Sequence, residues 1–433
     1  LAGKFKNKMQ VWFEIPLWKR IMLALVLGVV VGAIWGEGAQ SIRWIGDVFI
    51  RLIQMVVVPL VFITIVAGIV SMGDPHKLGS LGIKTLAIYM LTTGLAISIG
   101  LILAVVIQPG AGVDLSGADP GTIQEAMPLG ERLMSIVPSN PIAALAEGNI
   151  LAVIFFALLF GVGILTVGKQ ADPLAHLMEA GSSVMLKLTH WVMEVAPFGV
   201  FALIAWVAGT QGAAALLQVV ALALTVTLGC FIHVIVVHGS LMRFVLNLNP
   251  LDFFKGAKNA MLVAFSTSSS SATLPVSMSV AETNLGIKPV VASTVLPIGA
   301  TINMDGSALY VGIVSVFAAQ AFGVDLTFMD YLLVAASTTL VSIGTAAVPG
   351  ASIFLMAAVM ETIGLNPTQI ALVVGFVLPF DRPLDMMRTA VNVTGDLSVA
   401  TAVARWENEF DEDMFTNRFN QAGENQGRGG QKE

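Results

Sequence analysis

Asp381, Asp385, Arg388, Asn392 and Asp396 follow one another at spacings of four, three, four and four residues. On a helix advancing about 100° per residue they fall at roughly 0°, 40°, −20°, 20° and 60°. That is a single stripe on an otherwise apolar segment. Charge at membrane depth is costly and marks a substrate or ion pathway. Arg388 can grip a carboxylate through two parallel N–H bonds, and its charge does not titrate away. Asp385, one turn earlier, is placed to accept an ammonium, so the two suit an amino acid with a second carboxylate. Asp396 and Asn392 offer hard oxygen ligands of the kind an alkali cation takes. The alternative, an Asp–Arg ladder that only ties helices together, leaves Asn392 and Asp396 unexplained.

A second polar interruption is Thr301-Ile302-Asn303-Met304-Asp305-Gly306, bracketed by Gly299 and Gly306. Carbonyls freed in a weakened helix, with Asn303 and Asp305, could build a dehydrated cation site, or could merely satisfy one another. Ser307, just beyond, is assigned no contact. The run Ser266–Ser271, with Thr273 and Pro275, would be a flexible linker in a soluble chain. Between Ala260–Phe265 and Leu274–Met278 it reads instead as the tip of a helical hairpin, whose hydroxyls and N–H groups can hold a carboxylate. The histidines, His76, His176, His190, His233 and His238, show no ligand spacing and read as loop or interface residues, giving no support to a histidine proton relay. Cys230 stands alone in an apolar segment, which excludes a disulfide framework. A nucleophile with its base, or a metal cluster, is not found, so an enzyme is not expected. No basic stripe suggests nucleic acid.

The elements that position these residues follow from composition. Of the 433 residues 56% are hydrophobic and 12% charged, about half the charged share of a soluble domain, with a mean hydropathy of +0.85. The fold class is an all-α polytopic membrane protein. Six spans come first, at about 17–35, 42–70, 82–108, 140–168, 182–209 and 213–245. Lys4, Lys6, Lys8, Lys19 and Arg20 precede the first, with no small-residue cleavage site behind it. The loop Pro109–Asn140 holds Asp114, Asp119, Glu125 and Glu131 against Arg132, whereas loops on the other side carry Lys77, Lys84, Lys169 and Arg243. Positive-inside topology puts the N-terminus in the cytoplasm and the acidic loop outside.

Two later segments, 251–285 and 330–365, each read as an apolar arm, a polar or Pro/Gly tip and another apolar arm. The second tip is Ser342-Ile343-Gly344-Thr345 and Val348-Pro349-Gly350-Ala351-Ser352. Unpaired backbone is tolerated at membrane depth only beside protein or a water-lined cavity, which favours two re-entrant hairpins. Each is followed by a span, 288–322 and 368–405. Lys255, Lys258 and Lys288 put the first hairpin's mouth inside, so the second opens outside. Such inverted repeats are a signature of secondary transporters with a midplane site. The total is eight transmembrane helices plus two re-entrant hairpins. The end of the chain, Trp406–Glu433, carries seven acids against three bases and reads as a flexible cytoplasmic tail.

With Ser268–Pro275, Asn303-Met304-Asp305-Gly306, Gly344–Pro349 and Asp385–Asp396 together, the chain resembles the dicarboxylate/amino acid–cation symporter family, which includes glutamate and aspartate transporters. The likeness runs from about Leu17 to Trp406. It implies a homotrimer in the cell membrane with both termini cytoplasmic. Residues 1–16 would be the cytoplasmic N-terminus, and 17–250 mainly scaffold and trimerisation spans, the third and sixth flanking the rest. Residues 251–405 would be a transport domain moving like an elevator, and 406–433 the tail.

By motif position the resemblance implies substrate contacts at Ser269, Ser270, Val348, Ser352, Asp385, Arg388, Thr389 and Asn392. It implies sodium sites at Gly299, Asn303, Asn392 and Asp396; at Thr301, Ser342, Ile343 and Thr345; and at Tyr89, Thr92, Thr93, Asn303 and Asp305. Uptake of an acidic amino acid with Na⁺ is the implied activity; a C4-dicarboxylate carrier and H⁺ coupling are the alternatives. A channel would need a continuous polar pore, where the two tips close a compact site. Two departures stand out. Archaeal members have an arginine just before the tip serines, where this chain has Ser268. Animal members have a second arginine in the last span, where this chain has Arg382 at an unusual position.

Overall fold

The computed structural model describes residues 14–71, 75–113, 134, 136–210, 212–343 and 350–416. They are almost entirely helical; the one extended pairing among them is an isolated antiparallel bridge between Ile287 and Phe410. Helix α1 (Leu17–Trp35) passes through a 3₁₀ turn (Gly36–Ile42) into α2 (Arg43–Ser71), and α3 covers Pro75–Ile107. The fourth expected span is two helices, α4 (Pro141–Glu147) and α5 (Ile150–Val167). Gly148, at φ 77°, ends the first, and the Asn149 side chain caps the second by accepting from the Ala152 N–H. The fifth is also corrected: α6 (Asp172–Glu194) starts earlier than expected, and α7 (Ala196–Thr210) begins just before Pro197, a residue suited to a helix start.

Helix α8 (Gly212–Ile232) continues through two π-helical stretches, His233–His238 and Leu241–Val245. Then come α9 (Pro250–Thr267), α10 (Ser270–Asn284), α11 (Pro289–Ile302), α12 (Asp305–Ala321), α13 (Phe328–Ile343), α14 (Ala351–Thr362) and α15 (Pro367–Trp406). Helices α9 and α10 pack on each other, as do α13 and α14. Among the described residues, five helical stretches are long and apolar enough to cross a membrane: Leu17–Val70, Leu81–Ile107, Ile150–Glu194, Leu217–Val245 and Pro289–Ala321. Their outward residues are apolar too, among them Val26, Val30, Ile102, Val106, Leu224 and Phe231, which suits lipid as the surrounding solvent.

Packing falls into two groups. Helix α1 lies along α7, and α2 packs on α5, α6 and α7. In the second group α9, α10, α11, α12 and α14 all pack on α15. Helices α3 and α8 join this second group through α12. The 40 residues of α15 span about 60 Å, and Asn366 and Gln369 start the helix with a capping box. The stretch after α15 belongs to the same body. Expected as the beginning of a loose tail, it instead folds back: Glu407 pairs with Lys84 at 2.7 Å, Glu409 with Lys288 at 2.9 Å, and Phe415 is buried.

Candidate functional site

The stripe on α15 is buried as a whole: Asp381, Asp385, Arg388, Asn392 and Asp396 are each at most 4% exposed. Arg388 donates from Nη1 to Asp381 Oδ1 at 2.8 Å and from Nη2 to Asp385 Oδ1 at 2.9 Å. The Asp–Arg ladder is therefore present, and it sits inside the stripe rather than replacing it. Arg388 itself is fully buried. The guanidinium lies 3.8 Å from the ring centre of Tyr310 on α12. Such a desolvated cation–π contact contributes about 2 kcal/mol. Tyr310→Leu is expected to lower stability by about 2 kcal/mol, while Tyr310→Phe, which keeps the ring, costs much less. Melting curves in detergent would decide, and equal losses for the two variants would remove the ring from the contact.

Asp385 is held on both oxygens. Oδ2 accepts from the Gly350 N–H at 3.0 Å, at the start of α14, and lies 3.5 Å from Arg382 Nη1. Thr389 turns its hydroxyl back to the Asp385 carbonyl at 2.8 Å. At the end of α9, Ser268 adopts φ 52° and breaks the helix, and the Ser269 hydroxyl caps α10 by accepting from Ala272 N–H at 3.1 Å. Ser268, Ser269, Ser270 and Ser352 are all buried. Ser268 Oγ and Arg388 Nε have no hydrogen-bond partner among the described residues, so the region has polar capacity left for a ligand. Val348 and Thr345 lie outside the described residues, as does the rest of 344–349.

The second polar centre forms where α11 stops at Ile302 and α12 starts at Asp305. Asn303 and Met304, both off helical geometry, bridge the gap. Asn303 Nδ2 donates to Asp396 Oδ1 at 3.0 Å, and Asn392 Oδ1 accepts from Gly306 N–H at 2.8 Å. From α3, Thr93 donates to Asp305 Oδ1 at 2.7 Å, and Thr92 Oγ1 lies 3.4 Å from Asn303 Oδ1. The Tyr89 hydroxyl bonds the Val295 carbonyl at 3.1 Å. A Cβ on Gly299 would meet the Tyr89 hydroxyl and stand 2.5 Å from Asp396 Oδ1. Eight of the expected cation ligands thus converge: Tyr89, Thr92, Thr93, Gly299, Asn303, Asp305, Asn392 and Asp396. Thr301 and Ser342 instead bond carbonyls of their own helices, at 3.0 Å and 2.8 Å; of Ile343 only the backbone is described.

Sequence reasoning missed two members of this centre. His233 and His238 are not loop or interface residues; both are fully buried against Asp305. His233 Nε2 lies 3.1 Å and His238 Nε2 3.7 Å from Asp305 Oδ2, with the rings edge to face. His238 Nδ1 pairs with Ser398 Oγ at 2.8 Å, while its Nε2 has no hydrogen-bond partner among the described residues. Four carboxylates (Asp305, Asp381, Asp385, Asp396) face two arginines (Arg382, Arg388). The arginines both lie beside Asp381 and Asp385, so the negative excess falls at Asp305 and Asp396. In a low-dielectric interior such an excess attracts cations strongly.

The sequence matches the model of the sodium:dicarboxylate symporter family over residues 17–406. The chain belongs to that family. It is a multi-pass membrane transporter, not an enzyme. Among relatives of this symporter family, a Bacillus subtilis (strain 168) protein named proton/glutamate-aspartate symporter is 38% identical over 90% of this chain and 95% of its own length. A proton/sodium-glutamate symport protein of Geobacillus stearothermophilus is 34% identical over 92% and 96%. A C4-dicarboxylate transport protein of Bacillus subtilis (strain 168) is 32% identical over 91% and 94%.

Proposed function

We propose that the protein is a secondary active symporter that carries an acidic amino acid, aspartate or glutamate, with cations. The observation that carries this reading is Arg388, whose two N–H edges each hold a buried carboxylate. Asp381 and Asp385 stand where the carboxylate of a substrate would bind. A substrate carboxylate that takes the Asp385 edge releases Asp385 to receive the substrate's ammonium. The internal ion pair is thereby exchanged for two pairs of the same kind, and the substrate's second carboxylate falls to the α9/α10 tip, where Ser268 Oγ has no hydrogen-bond partner among the described residues.

Na⁺ is taken by the oxygen cluster of Thr92, Asn303, Asn392, Asp305 and Asp396, which has the hard donors and the negative excess that a dehydrated alkali ion needs. A proton is a second coupling ion, held by Asp305 with His233 and His238. When His238 Nδ1–H donates to Ser398, its Nε2 lone pair faces Asp305 Oδ2 at 3.7 Å, an acceptor against an acceptor that one added proton resolves. The relatives whose names include both proton and sodium are in keeping with this.

The packing groups suggest the moving parts. Helices α1, α2 and α4–α7 form the scaffold of a homotrimer, and α9–α15 form an elevator-like transport unit flanked by α3 and α8. The pairs α9/α10 and α13/α14 are its re-entrant hairpins, in inverted repeats. A C4-dicarboxylate carrier is the second reading, favoured by the neutralisation of Asp385 by Arg388 and Arg382.

Proteoliposomes containing the purified protein would be given labelled L-aspartate under an inward Na⁺ gradient, then an H⁺ gradient, and labelled succinate in parallel. Aspartate uptake with either gradient is expected. His238→Gln is expected to lose H⁺-driven uptake by about tenfold or more while Na⁺-driven uptake persists. Succinate uptake without aspartate uptake would replace the first reading by the second. Equal loss with both gradients in His238→Gln would remove the proton from the Asp305 cluster.

A further inference from the structure

Arg382 is 8% exposed, and its Nε and Nη1 have no hydrogen-bond partner among the described residues. It stands a little to one side of the α15 stripe, about 60° from Asp385. Its surroundings are apolar residues of α1, α2, α6 and α7, among them Ile21, Phe49, Ile53, Met193 and Val200. The charges acting on it are Asp385, through an Nη1–Oδ2 separation of 3.5 Å, Asp381 and, with opposite sign, Arg388. A guanidinium in such a setting acts on Asp385 with little screening. The family resemblance assigns Arg382 no contact, and the substrate exchange at Arg388 does not use it.

We infer that Arg382 is a specificity-determining residue: it fixes how strongly the site prefers an acidic substrate with an amine over one without. This rests on the symporter reading above and extends it. Asp385 shares its charge between Arg388 on Oδ1 and Arg382 near Oδ2. When a substrate carboxylate takes over the Arg388 edge, Arg382 is the cation left beside Asp385. An ammonium arriving at Asp385 then meets a half-neutralised carboxylate and is held less tightly. A dicarboxylate without an amine leaves Asp385 still balanced by Arg382, and the repulsion between its charge and Asp385 is reduced. Without Arg382 the four-residue group Asp381, Arg382, Asp385, Arg388 changes from neutral to a charge of −1. That change favours a substrate with an ammonium and penalises a dianion.

The test measures the KM for labelled L-aspartate and for labelled succinate in proteoliposomes, for wild type, Arg382→Gln, Arg382→Met and Arg382→Lys. Detergent-extracted protein is checked for a single folded species in each case. Both uncharged variants are expected to raise the ratio of the succinate KM to the aspartate KM by about tenfold or more. Arg382→Lys is expected to stay within about threefold of wild type. Met retains a long apolar stem against the α1–α2 wall, so it stands in where Gln does not fold. An unchanged ratio in a folded uncharged variant overturns the inference, as does a change in both KM values by one factor. Failure of both uncharged variants to fold, with Arg382→Lys intact, would also overturn it, by making Arg382 a structural ion pair. The wild-type measurement tests the symporter reading separately. If wild type takes up succinate alone, the amino acid reading fails, and the inference is read from a succinate KM that rises in the uncharged variants.

Discussion

Arg388→Ala is expected to lower uptake of acidic substrate by at least about 100-fold and to lower stability as well. Both effects have one cause. The guanidinium is fully buried between Asp381 and Asp385, and removal of one partner of a buried pair costs about 3–5 kcal/mol, because the remaining charge loses its compensation. On the proposed reading the same side chain would bind the substrate, and its ion pairs neutralise the core. The double variant Arg388→Ala with Asp381→Asn deletes one orphaned charge. It is expected to recover part of the stability while uptake stays abolished. Melting curves in detergent and uptake in vesicles, measured on both variants, separate the two roles. Wild-type uptake by Arg388→Ala would end the carboxylate assignment.

Gly299→Ala is expected to raise the Na⁺ concentration needed for half-maximal uptake by about tenfold or more, with a stability loss of about 1–3 kcal/mol. The added methyl would stand 2.5 Å from Asp396 Oδ1 and against the Tyr89 hydroxyl, well inside van der Waals contact. Tyr89 is tied to the Val295 carbonyl, so the carboxylate is the group that has to move. Its bond from Asn303 is then lost, and the cluster loses the geometry that replaces water around the ion. A Na⁺ titration of aspartate uptake gives the answer; a curve superimposable on wild type would detach Gly299 and Asp396 from cation binding.

The α15 stripe was legible because its residues follow the α-helical period and stand out against apolar neighbours. The break between α11 and α12 was legible from the glycines on either side of Asn303 and Asp305. The histidine pair was not, for a geometric reason. Five residues of α-helix turn through about 500°, which would point His233 and His238 roughly 140° apart. The chain instead takes π-helical geometry over His233–His238, whose i→i+5 hydrogen bonds close a wider turn and bring both rings toward one face. Tyr310 was hidden differently: an aromatic in an apolar run carries no mark of the arginine above it. The split of the fifth span did have a signal, Pro197, which is tolerated in the first turn of a new helix and not in the middle of an old one.

The fold-back after α15 has a consequence for the order in which the molecule can be made. Residues Gly286 and Ile287, at the end of the α9/α10 pair, are joined by backbone bonds to Asp411 and Phe410, which leave the ribosome long after α9 and α10 have entered the bilayer. Until then Lys288 lacks Glu409, Lys84 lacks Glu407, and the pocket that Phe415 fills stands open. This end of the helix pair is therefore sealed only after α15 has been made, by the segment that follows it. A chain made only as far as Trp406 would hold every helix from α1 to α15 and still lack these contacts at the end of the α9/α10 pair.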